Sequence, residues 1–208
     1  MFTSQYQMNY PRDRASPVRR EVVYPPEAVA AWVHPDSRNY LLSRGITKEQ
    51  AEYYDLGYCT EGKWRERVII PIYFDSKLEC LQGRTLHKNE ELRYITEGWR
   101  SCYAPNEIAL ERRLVVVEGP FDLLAVSRIH RRTLATLGNV PSEAQLDQIR
   151  SIDSITEISI LYDKEALAEA YALQLILNTY LPTEVLILEE GKDAGECSDD
   201  QIRQILSP

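Results

Sequence analysis

The chain is poor in the features that would tie it to a metal ribbon, a disulfide scaffold or a membrane. Its four cysteines, Cys59, Cys80, Cys102 and Cys197, form no C-x-x-C pair. That spacing excludes a zinc ribbon and is too sparse for a disulfide framework, so buried free thiols in a reducing compartment are expected. No apolar run approaches the roughly 20 residues that a membrane span needs. Residues 1–20 are polar throughout and lack the apolar core of a signal peptide. There is no internal repeat and no low-complexity segment. A soluble cytoplasmic protein without membrane partners is expected.

What is present is ordinary in amount and uneven in placement. The 208 residues are 44% hydrophobic, enough for one large domain or two small ones. Net charge is −8, yet residues 1–132 hold 20 basic and 18 acidic side chains, and residues 133–208 hold 4 and 14. Such asymmetry fits one half that faces a polyanion and another that gathers acids, with divalent cations neutralising the acids.

Residues 1–24 carry Arg12, Arg14, Arg19 and Arg20 without periodicity and are expected to be a flexible basic arm. Residues 25–112 read as a small basic α+β unit. In it a helix is expected from Pro25-Pro26 to about His34 and another from Ser37 to about Leu42. A third is capped by the box Thr47-Lys48-Glu49-Gln50, runs to about Tyr54 and stops at Gly57. Arg67–Phe74 is a strand, with Pro71 arguing for an edge position. Leu78–Thr85 is its hairpin partner, and Arg93–Thr96 is a third strand.

From Arg113 the pattern alternates. Strands Leu114–Val117, Thr133–Thr136, Ile158–Tyr162 and Val185–Leu188 are separated by helices Phe121–Ile129, Ser142–Ile149 and Ala166–Tyr180. This β-α-β-α-β-α-β run predicts a four-stranded parallel sheet with helices on its faces over residues 113–196. Residues 197–208 are left as a C-terminal tail. Three strand ends in this unit carry acids: Glu118 after the first, Asp163-Lys164-Glu165 after the third, and Glu189-Glu190-Gly191-Lys192-Asp193 after the fourth. Parallel strands present their carboxyl ends along one edge, so these carboxylates should converge there. Mutual repulsion then calls for a hard cation, and Mg²⁺ suits an all-oxygen site that keeps open water positions. Each acid alone has a plainer role as a helix cap or surface charge.

These residues resemble a known family. Glu118-Gly119-Pro120-Phe121-Asp122 resembles the E-G-x-x-D signature of TOPRIM domains. Ala135-Thr136-Leu137-Gly138, followed by Ser142-Glu143-Ala144-Gln145, resembles the A-T-L-G…T-E-E-Q stretch of bacterial DnaG-type primases. Asp163-Lys164-Glu165 stands where that family has D-x-D, and Gly191-Lys192-Asp193 where it has G-K-D-P-D. Upstream, Tyr40–Thr47, Leu56-Gly57-Tyr58, Arg67–Ile72, Leu81–Arg84 and Arg93-Tyr94-Ile95 resemble successive segments of the primase catalytic core. The likeness covers about residues 38–196.

The resemblance implies a TOPRIM-like sheet behind a small basic subdomain and a DNA-directed RNA polymerase of the primase type. It implies Glu118 and Asp122 in catalytic roles, with Glu118, Asp163, Glu165 and Asp193 holding Mg²⁺ or Mn²⁺. Arg44, Arg84, Arg93 and Tyr94 would face the nucleoside triphosphate or the template–primer duplex. The implied partners are single-stranded DNA template, nucleoside triphosphates, a replicative helicase and a separate zinc-binding or initiation module. The last is implied because the family's preceding zinc module has no cysteine counterpart here, and its following helicase-binding domain has none either. A compact core of this kind suits a phage or mobile-element replication system. The chain departs from the family at Glu165, in place of an aspartate, at Lys164, in place of a glycine, and at Gly195, in place of the second acid of G-K-D-P-D. Those departures keep open a non-catalytic subunit that binds nucleic acid or a helicase. A TOPRIM nuclease is a further alternative that lacks the upstream likeness.

Overall fold

The computed structural model describes residues 21–74, 76–87, 90–99, 101–104, 111–188 and 193–207. The first 20 residues of the expected basic arm, its four arginines included, lie outside the described residues, as do Glu189, Glu190, Gly191 and Lys192.

Two sheets form the molecule. The first is antiparallel and five-stranded, in the order β1 (Val29–Ala30), β2 (Gly57–Cys59), β3 (Arg67–Phe74), β4 (Lys77–Thr85), β5 (Tyr94–Gly98). The second contains β6 (Arg113–Val117), β7 (Thr133–Ala135), β8 (Glu157–Leu161) and β9 (Thr183–Val185). All its pairings are parallel, and its order is β7-β6-β8-β9. The helices are α1 (Pro35–Ser43), α2 (Lys48–Tyr53), α3 (Pro120–Val126), α4 (Glu143–Arg150), α5 (Leu167–Leu177) and α6 (Asp199–Leu206). The expected α/β class and four-stranded parallel sheet with flanking helices are present.

Alternation along the strands explains how the sheets join. On β3, Val68, Ile70 and Ile72 enter a central core, while Ile69 turns to the opposite face with Cys59, Trp64 and Leu81. On β6, Val115 and Val117 enter the same central core, while Leu114 and Val116 pack beneath α4 and α5. The central core is therefore shared by both sheets and filled by α1, α2, α3 and α6, through Leu41, Ala51, Leu123, Leu124 and Ile202. Every residue of α3 is buried, which fits a helix with apolar positions all round.

Local chemistry sets several boundaries. The Thr47/Gln50 capping box forms as expected, and Ser142/Gln145 and Ser198/Gln201 make two more. The helix expected over 25–34 does not form. Val29 and Ala30 pair instead with Tyr58 and Gly57, and His34 stays extended because Pro35 disfavours helical geometry before it. The stop expected at Gly57 comes earlier, at Asp55, which takes φ 52°. Gly57 serves as strand, at a site where a Cβ would lie 2.1 Å from the Tyr24 hydroxyl oxygen. β3 is not an edge strand, yet its β2 ladder ends at Ile69, so Pro71 breaks no bond to β2. The fourth parallel strand lies at 183–185, ahead of the expected 185–188. Residues 199–206, expected as tail, are the amphipathic helix α6, with Ile202 fully buried and Arg128 Nε 2.7 Å from Asp199 Oδ1.

Candidate functional site

The parallel sheet delivers acids to its carboxyl edge. Glu118 follows β6 directly and is half-buried. Asp122 sits in the first turn of α3, where Pro120 opens the helix. Asp163 follows β8 and precedes a short 3₁₀ turn, Lys164–Ala166. Asp193 precedes a second such turn, Ala194–Glu196.

Asp122 is the most enclosed of the four. Its Oδ2 accepts from the Gly119 amide and its Oδ1 from the Gly195 amide, each at 2.9 Å. It thus closes the start of α3 and pins the Asp193 turn against it. Burial pushes its carboxyl up to about 8, with Asp163 and Asp193 adding repulsion and the two amides opposing it. Burial likewise pushes Asp163 up to about 7, helped by Asp193, Glu118, Glu165 and Glu196. Asp193 is raised by burial and by Glu196, against the pull of Arg44. Glu118 is raised by burial and then by Glu169 and Glu165. These carboxylates feel one another, as converging strand ends require.

The space around Gly195 is taken up by its neighbours. A Cβ there would lie 3.1 Å from Asp122 Oδ1 and 3.3 Å from Asp193 Oδ1. Two carboxylate oxygens already fill the space that a side chain at 195 would enter. Asp193 Oδ1 is buried and has no hydrogen-bond partner. It is the atom that an incoming cation or proton would satisfy. Among the described residues no three His, Cys, Asp or Glu side chains are gathered into a ready-made metal cage.

The antiparallel unit supplies the facing wall. Arg44 Nη1 lies 3.2 Å from Glu196 Oε1 and 3.9 Å from Asp193 Oδ2. Its guanidinium also sits 5.8 Å from the Tyr40 ring centroid. Arg84 donates from Nε to the Tyr40 hydroxyl at 3.1 Å and lies over the Tyr94 ring at 4.7 Å. Tyr40 meets Phe121 of α3 edge-on at 5.6 Å, which joins this wall to the acidic edge. Burial raises the Tyr94 hydroxyl, and Asp122 is among the charges it feels.

The charges of Asp163 and Asp193 act on Asp122, and those of Asp193 and Glu118 act on Asp163, while Arg44 and Arg84 act on Asp193 and Tyr94 feels Asp122. Glu165 is exposed and reaches the group only through its charge. Arg93 is exposed, and its carbonyl, rather than its guanidinium, is engaged, accepting from Arg67 Nη1 at 3.3 Å. Three participants escaped the sequence reading. Tyr40 bridges two arginines, Glu196 pairs with Arg44, and Glu169 adds charge beside Glu118. Glu169 was detectable as the i+4 neighbour of Glu165 at a helix start. The partner of Arg44, 152 residues away, was not.

Fold and edge together define an α/β protein that collects carboxylates at the carboxyl ends of a parallel sheet, beneath an arginine–tyrosine wall. No protein-family model matches the chain, and no curated protein matches it by sequence. Solved structures are more particular. The chain is similar to the Aquifex aeolicus primase (zinc-binding and RNA polymerase domains), with TM-score 0.69 and 21% identity, covering 83% of this chain and 55% of that one. A DnaG primase catalytic domain bound to single-stranded DNA gives 0.67 and 19% over 79% of this chain and 68% of that one. The DnaG catalytic core gives 0.67 and 19% over 84% and 71%. The fold is therefore that of DnaG primase catalytic cores, and the chain spans about half the length of the Aquifex fragment.

Proposed function

We propose that the chain is the catalytic core of a primase-type nucleotidyltransferase, which makes short RNA primers on single-stranded DNA. The observation that supports this reading is that Glu118, Asp163 and Asp193 follow one another along the carboxyl edge of the parallel sheet, coupled by charge around Asp122 and beside Arg44, within a primase-core fold. Asp163, Asp193 and Glu118 are the residues that would hold Mg²⁺ or Mn²⁺, with Glu165 completing the set. Two bound divalent ions supply charge stabilisation for the attacking and leaving oxygens of phosphoryl transfer. Glu118, whose carboxyl burial raises, would alternatively take the proton of an attacking 3′-hydroxyl. Arg84, stacked on Tyr94, presents a planar fork suited to triphosphate oxygens. Asp122, the other residue of the expected catalytic pair, holds α3 and the Asp193 turn in place. Single-stranded template, nucleoside triphosphates, a helicase, a zinc-binding module and a cytoplasmic, phage-type setting belong to this reading. Among the described residues no helix is long and apolar enough to cross a membrane.

The test is ribonucleotide incorporation on single-stranded DNA with Mg²⁺ or Mn²⁺ and the helicase and zinc-module partners supplied. Glu118→Gln should abolish synthesis, by at least about 10²-fold, while the circular dichroism spectrum is retained. No oligomer from the wild type would overturn the reading. One observation favours the alternative of a non-catalytic subunit: Arg44 already supplies a positive charge to Asp193 and Glu196, so part of the acidic edge is neutralised from within. Mn²⁺ uptake that is lost in Asp163→Asn would count against that alternative.

A further inference from the structure

The ends of β6 and β8, which carry Glu118 and Asp163, meet the end of β7 around a buried pair of hydroxyls. Thr136 follows β7, and Tyr162 lies between β8 and Asp163. Both are buried, Tyr162 completely. Their hydroxyl oxygens are 2.8 Å apart. Thr136 Oγ1 also lies 2.8 Å from the Gly138 carbonyl and 3.2 Å from the Val117 carbonyl. With the Tyr162 hydroxyl donating to Thr136, the single Thr136 proton is free to be given to Gly138, and every hydroxyl proton has an acceptor.

The backbone completes the knot. The Thr136 amide donates to the Val117 carbonyl at 3.1 Å, and the Gly138 amide to the Glu118 carbonyl at 3.2 Å. Gln145 Nε2 donates to the Thr136 carbonyl at 2.6 Å, which holds the segment from α4. Leu137, between these bonded residues, takes φ 60° although it is not glycine. Such a conformation persists where the surroundings over-determine it.

We infer that Thr136 and Tyr162 are a positioning pair. Their hydroxyl bridge locks the end of β8, which carries Asp163, to the β7 loop, and the β7 loop is bonded to the end of β6, which carries Glu118. The bridge thereby extends the β6–β8 ladder, whose last pair is Val117 and Leu161, and holds Glu118 and Asp163 in register beyond it. The inference rests on the metal-holding role proposed for those two acids. It assigns to two uncharged side chains, neither of them at the reacting atoms, the job of keeping the acids in register. Outer partners of this kind commonly tune metal affinity by about 10–100-fold.

The test uses the full chain and Mn²⁺. Tyr162→Phe and Thr136→Val each remove one hydroxyl at nearly constant shape, and Thr136→Ser restores it. Ile69→Val, in the opposite sheet, controls for a general loss of stability. Mn²⁺ binding is read by electron paramagnetic resonance, and amide hydrogen exchange is read without metal. The expected result is about a tenfold weaker Mn²⁺ affinity in Tyr162→Phe and Thr136→Val, with near wild-type affinity in Thr136→Ser and Ile69→Val. Exchange at the Thr136, Gly138 and Ala166 amides should rise in the first two variants, while β3 and β4 stay protected. Unchanged Mn²⁺ affinity in folded Tyr162→Phe would overturn the inference and leave the functional reading standing. If the wild type takes up no Mn²⁺, the metal reading falls, and unchanged exchange at the three amides would separately dismiss the bridge.

Discussion

Asp122 shows how one side chain carries structure and a charge state together. Its two oxygens satisfy amides from two turns, yet burial holds its carboxyl near 8, far above the ordinary carboxylate range. A raised carboxyl binds its proton more tightly folded than unfolded. Its contribution to stability is therefore complete below about pH 4 and is lost as pH rises through about 8. The metal-free protein should lose melting temperature between about pH 5 and about pH 8, by the equivalent of about 2–5 kcal/mol from Asp122. Asp163, raised to about 7, adds in the same direction, with its share discounted for partial exposure. Calorimetry across that range checks the slope, and Asp122→Asn should flatten it while lowering the absolute melting temperature. Added Mn²⁺ should reverse the loss at high pH if the acids bind it, and Asp163→Asn should remove most of that rescue. At this scale the acids were legible because a carboxylate after three of the four strand ends is a pattern in the sequence. The capping work of Asp122 was half legible, through Gly119 three residues before it. Its bond to Gly195, 73 residues away, was not.

At the scale of elements, capping chemistry was the most readable signal. Thr47 and Gln50 close α2 as their spacing requires, and Gln50 Nε2 goes further, donating to the Leu124 carbonyl of α3 at 2.8 Å. One side chain thus caps a helix of the antiparallel unit and ties it to a helix of the parallel one. Gln50→Ala should cost about 1–2 kcal/mol, more than an exposed cap alone, as read by urea unfolding. Thr47→Ala should cost about 1 kcal/mol, because it loses only the cap. Elements whose existence depends on a distant partner were misread. β1 is two residues long and exists because Tyr58 and Gly57 pair with it. Apolar spacing over 25–34 favoured a helix, since a two-residue strand has no period to detect. α6 was passed over for a related reason. Eight residues at a chain end look like tail until Ile202 is seen in the central core.

For the whole molecule, the unequal charge of the two halves acquires a direction. Arg44 and Arg84 line the side that looks onto the acids, whereas Arg67 and Arg113 are spent on structure. Arg67 is buried, bonded to the Gly83, Leu92 and Arg93 carbonyls and paired with Glu90. Arg113 holds the Leu206 carbonyl, Glu157 and Glu184. Counting arginines in the sequence therefore overstates how many face the acidic edge. Single-stranded DNA affinity should fall steeply with salt, and Arg93→Ala should reduce the slope of log affinity against log salt by about 1. Arg67→Ala should instead lower the melting temperature, because it removes the buried bonds to three carbonyls and the pairing with Glu90. Fluorescence anisotropy over a salt series, run beside thermal unfolding, separates the two outcomes.

The amino-acid order by itself determined the alternation of strand and helix after Arg113, the parallel sheet that follows from it, and the acids at its strand ends, because each is written in local periodicity and local turn chemistry. Tertiary structure alone decided which of those acids face inward, that Gly195 makes room for two carboxylates, and that Arg44 reaches Glu196 across the two units. Those outcomes depend on burial and on contacts between residues far apart in the chain, and no local pattern encodes the desolvation that sets their charge.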